Sequence, residues 1–383
     1  MNALILSIST GQGHHATGVA VADAFENLGV QCVTIDAYEY IEPKLSSLVS
    51  KGYLLSTAHA PRLAAMVYNS LVKRNSPSRK FSVPKMTNTY LAWDLKKHIQ
   101  QNTPDIIVCT HVLSSILASE MKYHAWTDAV TAGIVTDFTV HPLWEETGGI
   151  DYYVTPNELL EFQMMRKGLD VRKVLPFGIP IRPQFAVRTE KTEARRRLGL
   201  APDKMTILVM SGSMGYGKID VALSKIDTLP FDIQIITVCG NNADMYKRIK
   251  RMKFRKKMDV YRYVNNIDLM MDAADCIVTK PGGITSSEAL AKGLPMIMLN
   301  PIPGHEMRNA EFMLNNGIAL YVTKSFPLEE AVFSLLKHQG RLDDLRKTIE
   351  PYAKRTAAKD LCEFLIARVD EKQSRADSDA GER

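Results

Sequence analysis

The sequence is short of several things. No run of roughly eighteen apolar residues occurs anywhere in its 383 residues, so no segment reads as a membrane-spanning helix. The opening, Met1-Asn-Ala-Leu-Ile-Leu-Ser7, has no basic leader and no cleavage pattern, so no signal peptide is expected. There is no C-x-x-C pair. The cysteines (Cys32, Cys109, Cys239, Cys276 and Cys362) are scattered, mostly in apolar runs, which reads as buried thiols in a reducing cytosol rather than a disulfide framework or metal site. An Asp-x-Asp pattern occurs only as Asp377-Ser-Asp379, in a charged tail where chance accounts for it. No metal and no cofactor are therefore expected.

Acid is also missing where it would be most noticed. Between Lys44 and Trp93 there is no Asp or Glu, while Lys44, Lys51, Arg62, Lys73, Arg74, Arg79, Lys80 and Lys85 are interleaved with Tyr53, Tyr68, Phe81, Tyr90 and Trp93. The chain as a whole carries only +6 at neutral pH, so the excess is local. The stretch reads as amphipathic helices broken at Asn75-Ser-Pro-Ser-Arg79. Basic and aromatic side chains without acids suit an anionic bilayer surface. Lys73, Arg74, Arg79 and Lys80 are its candidate membrane contacts. A second basic run, Lys247 to Lys257, reads as a solvated helix face, and no nucleic acid is expected as a partner.

What is present is an α/β rhythm. Hydrophobic content of 45% and charged content of 23% are ordinary for a globular protein, and 383 residues make room for two domains. Ala3 to Ser9 reads as a strand, Thr10-Gly-Gln-Gly-His-His15 as a Gly-rich loop, and Ala16 to Leu28 as a helix ended by Gly29. After the acid-free stretch, strands follow at 105–110 and 132–136. The latter delivers Asp137, His141 and Trp144 at its carboxyl end, where open α/β sheets keep their sites. The Pro-rich Phe177-Gly-Ile-Pro-Ile-Arg-Pro183 marks a domain boundary. Thr206 to Met210 then opens a second α/β domain, with Ser211-Gly-Ser-Met-Gly-Tyr-Gly217 as its first loop. The expected division is 1–183, 184–345, a C-terminal helix over 346–370, and a disordered charged tail over 371–383.

The most informative stretch runs from Thr279 to Glu306. A buried strand, 274–279, breaks at Pro281-Gly-Gly283, and Thr285 or Ser286 can cap a helix that runs to Lys292 and ends at Gly293. A loop with open N–H groups at a positive helix end suits a phosphate. Glu288, further along that helix, stands at a distance suited to a ribose diol.

These motifs carry a resemblance. Gly11-Gln-Gly-His14, Thr136-Asp-Phe-Thr-Val-His141, Gly178-Ile-Pro-Ile-Arg-Pro-Gln-Phe185, Ser211-Gly-Ser-Met-Gly215, Lys280-Pro-Gly-Gly-Ile-Thr285 with Glu288, and Pro303-Gly-His-Glu306 span nearly the whole chain. In this order they resemble the processive diacylglycerol β-glucosyltransferases and monogalactosyldiacylglycerol synthases. More distantly, the chain is similar to the N-acetylglucosamine transferase of peptidoglycan synthesis. The resemblance implies a GT-B fold, two Rossmann-like doubly wound domains facing a cleft, and an inverting transfer of glucose or galactose from UDP-glucose or UDP-galactose to diacylglycerol. It also implies a cytoplasmic protein, peripheral on the inner face of the cell membrane. Other readings of the same motifs are transfer to a polyprenyl-linked peptidoglycan precursor and a non-catalytic nucleotide-sugar sensor.

Residue by residue, His14 would be the base that takes the acceptor's proton, an imidazole being mostly neutral at cytosolic pH. Asp137 would be the alternative base or the group that orients His14. Gly13, His141 and Trp144 would line the acceptor path. Gly212, Ser213, Met214 and Gly215, with Gly283, Ile284 and Thr285, would offer N–H groups to the diphosphate. Glu288 would take the ribose and Val264 the uracil, while His305, Glu306 and Asn309 would meet the hexose. The family usually has Gln where this chain has His305, which leaves the donor sugar open.

Overall fold

The computed structural model describes residues 1–8, 12–37, 93, 95–212, 215 and 218–381. Apart from Trp93, the acid-free stretch 44–93 lies outside the described residues, and so do Lys73, Arg74, Arg79 and Lys80.

The chain divides into two units: Met1–Arg182 with Thr356–Arg383, and Pro183–Arg355. In the first unit, β1 (Asn2–Ser7), α1 (Gln12–Asn27), β2 (Gln31–Asp36), β3 (Ile106–Cys109), α2 (Val112–Tyr123), β4 (Val130–Ile134), β5 (Tyr152–Val154), the short α3 (Glu161–Arg166) and β6 (Val174–Leu175) follow one another. The strands form one parallel sheet in the order β2-β1-β3-β4-β5-β6. Ala-Leu-Ile-Leu in β1 and Ile-Ile-Val-Cys in β3 are buried on both faces, as a helix-covered parallel sheet demands. The order reverses between β1 and β3, paired with Leu6 opposite Cys109. Their carboxyl ends diverge there and leave a crevice.

In the second unit come α4 (Lys191–Arg197), β7 (Met205–Met210), α5 (Ile219–Asp227), β8 (Ile233–Val238), α6 (Ala243–Arg251), β9 (Lys257–Tyr261), α7 (Ile267–Ala273), β10 (Cys276–Thr279), α8 (Gly283–Lys292), β11 (Met296–Met298), α9 (His305–Asn315), β12 (Ala319–Tyr321), α10 (Leu328–Lys337) and α11 (Gln339–Ile349). Its parallel sheet has the order β12-β11-β10-β7-β8-β9, reversing between β7 and β10. The basic run 247–257 is not one solvated face. It ends α6 at Arg251, turns, and enters β9, with Arg255 and Lys256 donating their backbone N–H groups to the Asp227 carboxylate.

The C-terminal expectations change in three ways. Residues 346–355 belong to the second unit, because Pro351 breaks the helix into a 3₁₀ turn at Glu350–Tyr352. The helix that follows, α12 (Ala357–Gly381), belongs to the first unit. Its Leu361, Cys362, Leu365 and Val369 pack into one core with Val21 and Phe25 of α1 and with Ile106 and Val108 of β3. Nor is 371–383 disordered up to Gly381: Arg368 pairs with Glu371 at 2.6 Å, and Lys372 donates to the Asp128 carbonyl. Ion pairs one turn apart and a tertiary anchor carry the helix through a charged sequence.

One buried ion pair braces α8. Lys292 and Asp272 lie 2.7 Å apart with side chains 1% and 3% exposed. Lys292 also donates to the Val187 carbonyl, and Asp272 accepts from Thr189 N–H. Removing one partner strands a buried charge. Lys292→Met is expected to destabilise the second unit by ~3–5 kcal/mol in urea unfolding. An unchanged unfolding midpoint would show that the pair does not hold α8.

Candidate active site

In the first unit the candidate site lies at the sheet's switch point. His14 sits in the first turn of α1, just beyond β1. Its Nδ1 donates to the carbonyl oxygen of Thr110, beyond β3, at 2.9 Å. Thr136 Oγ1, beyond β4, lies 3.2 Å from the same nitrogen. A carbonyl only accepts, so the contact fixes the proton on Nδ1 and the lone pair on Nε2. The imidazole is therefore held as a base would be, with its acceptor nitrogen away from the backbone that grips it. Gly13 precedes it, half-buried, and Asp137 follows Thr136, also half-buried.

His111 completes this cluster. Its ring meets that of His14 edge-on, with centroids 4.6 Å apart and planes at 89°. It caps α2 by accepting the Leu113 N–H on Nδ1 at 3.1 Å, so its own proton lies on Nε2. The two imidazoles thus hold opposite tautomers.

The neighbouring loop is built for rigidity. Gln163 Oε1 accepts from Val140 N–H and from the Thr139 hydroxyl. His141 caps the next turn, accepting from Leu143 N–H. Trp144 is a core residue and does not line an open path. It is 3% exposed and meets Tyr153 edge-to-face, and a Cβ placed on Gly133 of β4 would lie 2.9 Å from its ring. The ring takes the space that a side chain at position 133 would need, as close packing requires.

In the second unit two loops meet at the switch point between β7 and β10. After β7, Gly212 and Gly215 have φ of 65° and 62°, and Gly215 N–H closes the turn on the Gly212 carbonyl. A Cβ on Gly215 would stand 2.1 Å from the Cys239 carbonyl oxygen. Asn242 donates to the Gly215 carbonyl and also caps α6, locking the turn to β8. Ser213 and Met214 lie outside the described residues.

After β10, α8 begins earlier than its hydroxyl residues suggest. Gly282 is the N-cap, with no side-chain cap, and Ser286 N–H already bonds back to the Gly282 carbonyl. Gly283, Ile284 and Thr285 therefore form the first turn, whose N–H groups have no intrahelical acceptor. Glu288 follows on the same helix, 8% exposed. Asn309 of α9, fully buried, donates to the Pro281 carbonyl, and Glu306 accepts from Ile302 N–H at 2.6 Å. Both brace the loops around α8. His305 opens α9 behind Gly304, half-buried, and Val264 lies half-buried in the connection from β9 to α7.

Burial pushes the thiols of Cys109, at the carboxyl end of β3, and Cys276, at the amino end of β10, up to about 12. They stay protonated at neutral pH and offer no nucleophile. Among the described residues no cluster of His, Cys, Asp and Glu is arranged to hold a metal ion, and no helix is long and apolar enough to cross a membrane.

Two doubly wound parallel sheets, one in each unit, make up the GT-B fold. Among solved structures, MurG of Acinetobacter baumannii shares the fold with a TM-score of 0.62 at 14% identity, over 96% of this chain and 99% of that one. The HepE protein of Anabaena, solved with UDP-glucose, does so with a TM-score of 0.53 at 12% identity, over 98% and 100%. Residues 14–181 match the monogalactosyldiacylglycerol (MGDG) synthase family, and residues 206–361 match the glycosyltransferase family 28 C-terminal domain. The processive diacylglycerol beta-glucosyltransferase of Bacillus licheniformis is 31% identical over 91% of this chain and 90% of its own. The same-named protein of Bacillus subtilis is 30% identical over 91% and 90%. The chain belongs to this diacylglycerol glycosyltransferase family and is an enzyme, a glycosyltransferase.

Gly215→Ala tests the rigid turn. The residue would need a left-handed backbone and a carbonyl that gives way. It is expected to weaken UDP binding by about tenfold or more in calorimetry, while Gly282→Ala, where a Cβ meets nothing within 4 Å, should bind within a few-fold of wild type. Equal affinity in both variants would remove the turn from the nucleotide site.

Proposed function

We propose that this enzyme transfers a hexose, glucose by the precedent of its relatives, from a UDP-sugar to diacylglycerol with inversion. Its second unit would hold UDP through the turn at Gly212–Gly215, the first turn of α8 and Glu288. Its first unit would supply the base. The acceptor hydroxyl oxygen would attack the anomeric carbon, the bond from that carbon to the β-phosphate oxygen would break with its electron pair leaving on UDP, and the proton would pass to Nε2 of His14. The observation that carries this reading is the Nδ1–H of His14 held on the Thr110 carbonyl, which makes Nε2 the acceptor nitrogen of the imidazole. The relatives' whole-chain likeness supports the choice of acceptor.

Purified enzyme with labelled UDP-glucose or UDP-galactose, offered vesicles that carry diacylglycerol or a polyprenyl-linked peptidoglycan precursor, tests the transfer. The expected product is a glycosylated diacylglycerol with the β-configuration. Label appearing only on a polyprenyl-linked acceptor would replace diacylglycerol in this reading. His14→Ala is expected to lower kcat by ~10²–10⁴ with UDP affinity nearly unchanged. Near-normal turnover would pass the role to Asp137.

We further propose that the protein works as a peripheral enzyme on the inner membrane face, docked through the acid-free stretch 44–93. Each Lys or Arg at an anionic leaflet contributes about 1 kcal/mol. Changing Lys73, Arg74, Arg79 and Lys80 together to Ser should sharply reduce flotation on anionic vesicles at low salt, and leave UDP binding intact. Full flotation of the quadruple variant would move the docking face elsewhere.

A further inference from the structure

Lys280 stands apart from the other lysines of the second unit. It is half-buried, at the carboxyl end of β10, and has no ion-pair or hydrogen-bond partner among the described residues. The unit's other half-buried lysines are all engaged. Lys191 pairs with Asp275, Lys204 with Asp232, Lys225 with Glu329, Lys256 with the carbonyls of Leu229 and Phe231, and Lys354 is engaged as well. The fully buried Lys292 holds Asp272. A half-buried ammonium loses part of its hydration and is normally repaid by an anion or by carbonyls.

The surroundings of Lys280 are also unsatisfied. It lines a small cavity with Ser211 beyond β7, Lys218 at the start of α5 and Asn300 beyond β11, which places the cavity at the switch point of this sheet. Lys218 has no partner among the described residues either, but it is exposed and hydrated. Two buried hydroxyls flank the loop that carries Lys280: Thr279 Oγ1 and Ser286 Oγ, neither with a hydrogen-bond partner among the described residues. Asn300 closes the rim in a left-handed conformation, φ 49°. Two cations without a protein partner among the described residues, beside the uncapped start of α8, share one chemical demand, a multiply charged oxyanion.

We propose that Lys280, assisted by Lys218 across the cavity, is the cationic contact for the diphosphate of the bound nucleotide. It would neutralise the charge that gathers on the β-phosphate oxygen as its bond to the sugar breaks. This rests on the UDP-sugar reading above and adds to it a side-chain charge where the sequence suggested backbone amides alone.

The test is calorimetry with UDP and with uridine, which lacks the phosphates, on wild type and on Lys280→Gln, Lys280→Arg and Lys218→Gln. A charge-assisted hydrogen bond corresponds to about 10- to 100-fold in affinity. Lys280→Gln should therefore bind UDP about 10- to 100-fold more weakly, with uridine affinity unchanged and a shallower salt dependence. Lys280→Arg should recover most of the loss, and Lys218→Gln should lose less. The thermal midpoint of Lys280→Gln should match wild type, because its side chain holds nothing together. Equal UDP affinity in Lys280→Gln and wild type overturns the assignment and leaves the UDP-sugar reading standing. Failure of the wild type to bind UDP at all overturns that reading first.

Discussion

The contact between His14 Nδ1 and the Thr110 carbonyl is the constraint on which the chemistry proposed for the first unit depends. It exists because β1 and β3 are neighbours in a sheet whose order reverses between them. Thr110 N–H continues the ladder onto the Leu6 carbonyl, which turns the Thr110 carbonyl toward the start of α1. The next strand adds the Thr136 hydroxyl. A side-chain acceptor could rotate or change protonation; a ladder carbonyl can do neither. The tautomer is thus set by sheet topology, and the apolar core beneath, from Ile5 to Leu365, is what keeps the ladder in place.

The second unit solves a different problem with different means. An anion needs several donors held at fixed positions, since donors that must reorganise contribute little to charge stabilisation. The Gly212–Gly215 turn is fixed by a close approach to Cys239 that no side chain could share. The helix α8 is fixed at both ends. Asn309 grips the Pro281 carbonyl before its first turn. At its far end, Gly293 takes the left-handed cap and Lys292 is buried on Asp272.

The fold was legible because both sheets are parallel and buried: β1, β3, β7, β8 and β10 stand out as short apolar runs, and the Gly-rich loops between them mark the site ends of the strands. Individual roles were less so. Thr110 acts through a carbonyl that every residue has, so no side chain announces it. His111 was within reach, since it directly follows a strand at its carboxyl end. The start of α8 was misplaced because hydroxyl residues are the usual caps, whereas Gly282 leaves the first turn's amides to another acceptor. Trp144 stands in the sequence just beyond a strand's carboxyl end, which suggests the acceptor path, and only its burial and the glycine beneath it show that its ring turns inward. The charged tail lacks an apolar stripe, but Arg368 and Glu371 are spaced for an ion pair on a helix.

The two points where the chain passes between units converge on the same atom of α8. Arg188, just after the first crossing, and Arg355, at the second, both donate to the Ala291 carbonyl, at 3.3 and 2.8 Å. Glu350 accepts from both guanidinium groups, joining the crossings to each other. Cations at a helix C-terminus are favourable on their own account. Here they also tie the carboxyl end of α8 to the segments next to both chain crossings. The helix that would hold the phosphates is thereby the element to which the ends of the second unit are tied.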